Sequence, residues 1–155
     1  MLRYLDLVRN CLPGVKEIMP WDLVERIGEN PDLLILDVRE PYEFALLHIR
    51  ESVNVPRGIL ESACEWDYEE TVPELVKARM REIIVVCRSG YRSVLAVHSM
   101  QLLGYEHAVS LRTGLRGWND YEEPLWSSAG SMVEPAEADD YFMAKLRADQ
   151  RSPGV

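Results

Sequence analysis

Cys87 is followed without interruption by Arg88, Ser89, Gly90, Tyr91 and Arg92, so two guanidinium groups, two hydroxyls and a glycine stand next to one thiol in the chain. The apolar run Ile83-Ile84-Val85-Val86 precedes it, and an apolar-periodic stretch from Val94 to Leu103 follows. That succession reads as buried strand, tight loop and helix. Loop amides and the positive end of the helix should converge on the sulfur. The loop holds no carboxylate, and a thiol among such cations can fall from about 8.5 into the range of roughly 3.5 to 7.5. Gly90 lets the chain curl with its amides inward, because a residue without Cβ takes positive φ cheaply. Arg88 and Arg92 offer planar forks for a tetrahedral oxyanion or its sulfur analogue. The chemistry indicated is nucleophilic attack by Cys87 on an anionic substrate held by residues 88–92. The plainer alternative is a small buried hydrophobe at a strand end. The concentration of donors around the thiol favours catalysis.

The elements that must position this loop follow from periodicity. Leu2, Leu5 and Val8 predict a short N-terminal helix ending near Cys11-Leu12-Pro13-Gly14. Pro20 opens a second helix bearing Leu23, Val24 and Ile27. Residues 33–38 form a short apolar run that predicts a buried parallel strand. Glu40 to Leu46 predicts a helix with Pro41 in its first turn, and Val53 to Pro56 a brief extended segment. Between Glu61 and Leu75 stand six acidic residues and no basic one, which predicts an exposed connection, with a helix up to Arg81 after it. Gly104 should cap the helix that follows Cys87, Ala108 to Leu111 is the last strand, and Trp118 lies on a short helix as core or pocket wall. Residues 127–131 are a Ser, Ala and Gly linker, after which Phe142, Met143 and Leu146 predict one face of a terminal helix. Strands alternating with helices predict a parallel α/β sheet with its site at the carboxyl ends of the strands.

The 155 residues suffice for one substantial core, expected over 16–126 with an N-terminal extension (1–15) and a linker and acidic tail or helix (127–155). Twenty-six acidic residues against seventeen basic leave a formal charge of −9, which disfavours nucleic acid and anionic lipid as partners. No apolar run reaches the roughly 20 residues of a membrane span, and the first residues lack a secretory pattern. Cys11, Cys64 and Cys87 are odd in number and have no metal-ligand spacing, so neither a disulfide framework nor a metal is expected. A reducing cytoplasm fits these features.

Cys87, Gly90 and Arg92 together have the form C-x-x-G-x-R, and the chain here resembles the rhodanese homology domain. Asp37-Val38-Arg39-Glu40-Pro41 with Glu43-Phe44 and His48-Ile49, then Val53-Asn54-Val55-Pro56, resemble the family's first signature. Leu111-Arg112-Thr113-Gly114 with Trp118 resembles its last. The likeness spans residues 16 to 126. It implies a five-stranded parallel sheet flanked by helices on both faces, and a Cys87 that cycles between thiol and persulfide without a cofactor. A sulfane donor such as thiosulfate would supply the sulfur, and a thiol, cyanide or a protein acceptor would remove it. The chain departs from the family at Leu47, which replaces a Gly, at Arg50-Glu51, which replace Pro-Gly, and at Thr113, which replaces one Gly of a pair.

Two other functions compete. Cysteine phosphatases use C-x5-R, whereas Cys87 to Arg92 is C-x4-R, a smaller ring suited to one sulfur, and Val86 stands before the cysteine with no His to aid it. A non-catalytic docking module would be marked by a missing cysteine. His48 reads as a hydrogen-bonded structural residue. Asp37 and Arg39 either brace the active loop or form a salt bridge useful to the fold alone, and Glu43 is a comparable support. Cys11 and Cys64 read as bystanders, and a resolving role for Cys64 would need its Cα within about 7 Å of that of Cys87. From Asp120 to Asp149 eight acidic and two basic residues place −6 of the charge near the end, either as solvated surface or to dock a basic partner or second subunit through Phe142, Met143 and Leu146.

Overall fold

Five short strands, β1 (Glu17–Ile18), β2 (Leu34–Asp37), β3 (Val53–Asn54), β4 (Ile83–Val86) and β5 (Ala108–Leu111), pair in parallel in the order β1-β5-β4-β2-β3. They belong to a computed structural model that describes residues 1–154. The helices are α1 (Tyr4–Cys11), α2 (Pro20–Glu29), α3 (Pro41–Leu46), α4 (Leu60–Ala63), α5 (Pro73–Lys77), α6 (Arg92–Leu102), α7 (Gly114–Asp120) and α8 (Pro135–Phe142). Every residue of β2, β4 and β5 is buried, as expected where helices cover both faces of a parallel sheet.

Alternation along the strands sorts the core into two layers. Leu34, Leu36, Ile83, Val85 and Ala108 face Val8 of α1, Leu75 of α5 and Val94, Val97 and Met100 of α6. Ile35, Ile84, Val86, Val109 and Leu111 face Leu23 of α2, Leu115 and Trp118 of α7, and Ala138 and Phe142 of α8. Cys87 continues the parity of Ile83 and Val85, and its side chain joins the first layer. The β2–β4 register sets Asp37 level with Val86, so residues 37–39 and the Cys87 loop leave the sheet side by side.

Three segments differ from the sequence expectation. Strand β1 is only two residues long, too short to leave a pattern, and its pairing with Ser110 and Leu111 of β5 defines it. Residues 65–70 are exposed as expected, but Ala63, Cys64 and Leu75 on either side are buried; the acidic residues occupy the turn between two short helices whose apolar residues enter the core. Helix α8 stops at Phe142, so Ala138 and Phe142 are its buried residues while Met143 is 63% and Leu146 54% exposed. The backbone turns extended at Met143, and the Arg88 guanidinium donates to the carbonyls of Tyr141 and Met143. Gly104 caps α6 at φ +91° as expected. Among the described residues no helix is long and apolar enough to cross a membrane.

Candidate active site

Cys87 follows the last residue of the central strand β4, and the chain turns into α6 within five residues. The backbone N–H groups of Gly90 and Ser93 donate to its Sγ at 3.1 and 3.3 Å. The thiol donates to Ser93 Oγ at 3.4 Å, and that hydroxyl lies 2.8 Å from Ser110 Oγ. When the sulfur ionises, the Ser93 hydroxyl can turn to donate to it, because its hydrogen rotates freely. Sγ is therefore the focus of two amides and a hydroxyl at the N-terminal end of an 11-residue helix. Cys87 is only 1% exposed, so an atom added to Sγ must occupy the cup of the loop itself.

Two glycines make the cup. Gly90 sits at φ +89°, and a Cβ there would lie 2.9 Å from the Thr113 nitrogen. Gly114 sits at φ +61°, where a Cβ would come within 2.5 Å of the Cys87 carbonyl oxygen. Its closeness lets the amides of Leu115 and Arg116 donate to the carbonyls of Cys87 and Arg88 at 2.8 and 3.0 Å, so the start of α7 pins the loop. Two of the family departures acquire a physical meaning here. Glu51 and Thr113, each in place of a glycine, adopt φ +66° and +70°, a conformation costing a side-chain-bearing residue roughly 1 kcal/mol.

The charged residues form a braced set. Arg39 and Asp37 are fully buried and paired through Nε and Nη2, and Arg39 Nη2 also donates to the Leu47 carbonyl at 2.6 Å. Asn54 donates to the carbonyls of Asp37 and Arg39 and ties β3 to the same turn. Arg92 sets both fork nitrogens on Glu43, at 2.8 and 3.0 Å. Burial pushes the Glu43 carboxyl up, yet the Arg92 fork, the Glu40 amide and Arg39 hold it below the usual carboxylate range. Arg92 thus anchors the loop to α3 with its charge matched. Arg88 is held differently, by the neutral carbonyls of Tyr141 and Met143 at 3.0 and 3.3 Å and over the Tyr141 ring at 5.5 Å.

Of the residues singled out from sequence, Cys87 and Gly90 meet directly, Arg92 turns to Glu43, and Arg88 turns to the carbonyls of Tyr141 and Met143. Ser89 is half-buried, and Tyr91 is exposed with its ring edge-on to Tyr4 of α1. Glu43 of α3 holds the loop through Arg92, whereas the Asp37 and Arg39 side chains bond each other, the Leu47 carbonyl and the Tyr141 hydroxyl. His48 stacks on Phe44, bonds its carbonyl through Nδ1, and pairs in the backbone with Trp126, a structural engagement. Trp118 is buried in the core, with Nε1 donating to the Pro124 carbonyl.

Sequence reasoning placed Ser93 in the motif but missed Ser110, which bonds the Ser93 hydroxyl, and Tyr4 and Tyr141 as flanking groups. Ser110 left one signal, a hydroxyl within the otherwise apolar run Ala108 to Leu111. Tyr4 left none, since its place beside Tyr91 depends on the path of α1. Burial pushes its phenol upward, and the Cys87 sulfur nearby pushes the same way.

Comparison with known proteins agrees with this geometry. The rhodanese-like domain family matches residues 20–121. A sulfurtransferase of Allochromatium vinosum is 28% identical over 116 residues, which are 75% of this chain and 99% of that protein. Other curated relatives are longer, and the chain spans from 54% down to 21% of their length. Among solved structures, a rhodanese-related protein of Thermoplasma volcanium is 28% identical with a TM-score of 0.58, covering 71% of this chain and 96% of its own. RPA3614 of Rhodopseudomonas palustris, a protein of unknown function described as a possible tyrosine phosphatase, shares the fold at 20% identity and a TM-score of 0.73, covering 81% and 95%.

Proposed function

This chain belongs to the rhodanese-like domain family of sulfurtransferases, and we propose that it carries a sulfane sulfur as a persulfide on Cys87. The observation that carries the reading is the pair of amides, Gly90 and Ser93, aimed at a buried Sγ. Donors so placed stabilise the negative charge that rests on sulfur during transfer. The Cys87 thiolate attacks the outer sulfur of a donor such as thiosulfate. A new S–S bond forms to Cys87, the donor's S–S bond breaks, and sulfite leaves with its electron pair. The outer sulfur, now the negative end of a persulfide, takes over the cup and its amides. An acceptor nucleophile, cyanide or a thiol, then bonds to that sulfur and the Cys87 thiolate departs with the electrons. No redox partner or cofactor enters this cycle.

A phosphoryl group would need space for three equatorial oxygens, while the Gly90 amide lies three residues after Cys87 and closes on one atom. Incubation with thiosulfate should raise the intact mass by one sulfur atom, and cyanide should remove the increase and yield thiocyanate. A chain that gains no mass from thiosulfate yet hydrolyses an aryl phosphate would overturn the proposal.

A further inference from the structure

We infer that the C-terminal segment around Tyr141 and Met143 builds the anion site for the sulfur donor by orienting Arg88 without neutralising it. The inference rests on the persulfide reading and deepens it by naming the donor as a dianion recognised at the loop rim. The Cys87 loop carries two arginines, and they are held in opposite ways. Arg92 has both fork nitrogens on the Glu43 carboxylate, so its charge is spent within the protein. Arg88 gives Nη2 to two backbone carbonyls, which bear partial charge only, and makes no ion pair among the described residues. A guanidinium fixed by neutral acceptors keeps its full positive charge and its remaining N–H donors for a ligand.

The segment that holds it is itself anchored in the site. The Tyr141 hydroxyl accepts from Arg39 Nη1 at 3.3 Å and reaches Glu43 Oε1 at 3.4 Å, while its ring lies under the Arg88 guanidinium. Phe142 beside it is buried in the core and fixes the depth at which the two carbonyls stand. One tyrosine thus connects Arg88, Arg39 and, through Glu43, Arg92. It lies beyond residues 20–121, the span the family matches. Tyr141 is therefore a positioning residue acting through Arg88, and it adds a fixed cation to a chain whose net charge of −9 would otherwise repel a dianion.

The test compares full-length variants on two donors that present the same outer sulfur, thiosulfate as a dianion and methanethiosulfonate as a monoanion, with cyanide as acceptor. Tyr141→Ala should raise the KM for thiosulfate about tenfold and leave kcat within about twofold, with a smaller effect on the monoanion. Tyr141→Phe, which keeps the ring under Arg88 but loses the hydroxyl bonds to Arg39 and Glu43, should recover part of the loss. Combined with Arg88→Gln, Tyr141→Ala should add little, since both act on one guanidinium. Met143→Glu sets a carboxylate beside Arg88 at an exposed position, and it should lower thiosulfate kcat/KM about fivefold more than Met143→Gln does. A KM that is unchanged or lower in Tyr141→Ala, equal losses on both donors, or Met143 variants that match one another would each overturn the inference while leaving the persulfide reading intact. Wild-type protein that takes sulfur from neither donor would remove both.

Discussion

Cys64 and Cys87 lie in the same apolar layer, both out of contact with solvent, yet they have opposite surroundings. Cys64 ends the short helix α4, its carbonyl held by Arg79 Nη2 and its side chain beside Tyr105. Burial pushes its thiol up, and the pull of Tyr105 and Arg79 does not reverse this. Cys87 follows a strand at a point where the chain must turn, and two amides are turned onto its sulfur. The contrast separates burial from activation. Burial is common to both thiols, and the two backbone donors on the sulfur are what Cys87 adds to it.

The largest expected effect breaks the comparison outright. Cys87→Ser should leave no measurable transfer from thiosulfate to cyanide, because a hydroxyl cannot hold a sulfane sulfur, and the fold should persist. Cys64→Ser should do the reverse, with turnover kept and the urea midpoint lowered, because it exchanges a weak hydrogen-bonding group for a hydroxyl in a dry layer. Were Cys64→Ser to abolish turnover in protein that remains folded, Cys64 would belong to the reaction and its buried position would need another explanation.

A smaller effect tests the amides alone. Inserting one residue between Ser89 and Gly90 keeps Cys87 but moves the Gly90 N–H off the sulfur. One lost donor at a site of developing charge is worth on the order of a hundredfold in rate. Thiosulfate transfer should fall by about that factor. An insertion between Trp66 and Asp67, in the exposed turn after Cys64, should leave turnover alone. If the first insertion costs nothing, directed amides are not what distinguishes the two cysteines.

The parts of this molecule that sequence made legible are those where one stretch of chain carries the whole signal. The apolar runs of β2 and β4, the Cys87 loop with Gly90 and Arg92, and the position of Asp37 and Arg39 at a strand end are of that kind. What stayed hidden depends on meetings between distant segments. Ser110 reaches the sulfur's hydroxyl partner from the next strand, and Tyr4 and Tyr141 arrive from opposite ends of the chain. The acidic run after Glu61 misled in a specific way, since charges at 65–70 drew attention from Ala63, Cys64 and Leu75, which the core needs. Likewise Phe142, Met143 and Leu146 share a helical spacing that the chain does not use, since the backbone turns extended at Met143.

The smallest effect concerns pH and sharpens the comparison through Glu43. Its carboxyl is held below the ordinary value of 4.5, chiefly against burial, by the Arg92 fork. A group whose native pKa is depressed adds stability that is complete above its unfolded value and is lost as pH falls through the native one. Glutamine is close in shape to a protonated glutamate but carries no charge at any pH. Glu43→Gln should therefore have a lower urea midpoint than wild type at neutral pH, and the gap should close as pH drops below 4.5. Cys64→Ser supplies the contrast, since a thiol raised by burial stays neutral across that acid interval in both folded and unfolded chain. Its gap from wild type should stay level while the Glu43 gap closes. A Glu43→Gln gap that holds constant into acid would mean that Arg92 does not lower the carboxyl, and the loop's anchor on α3 would then rest on shape and not on charge.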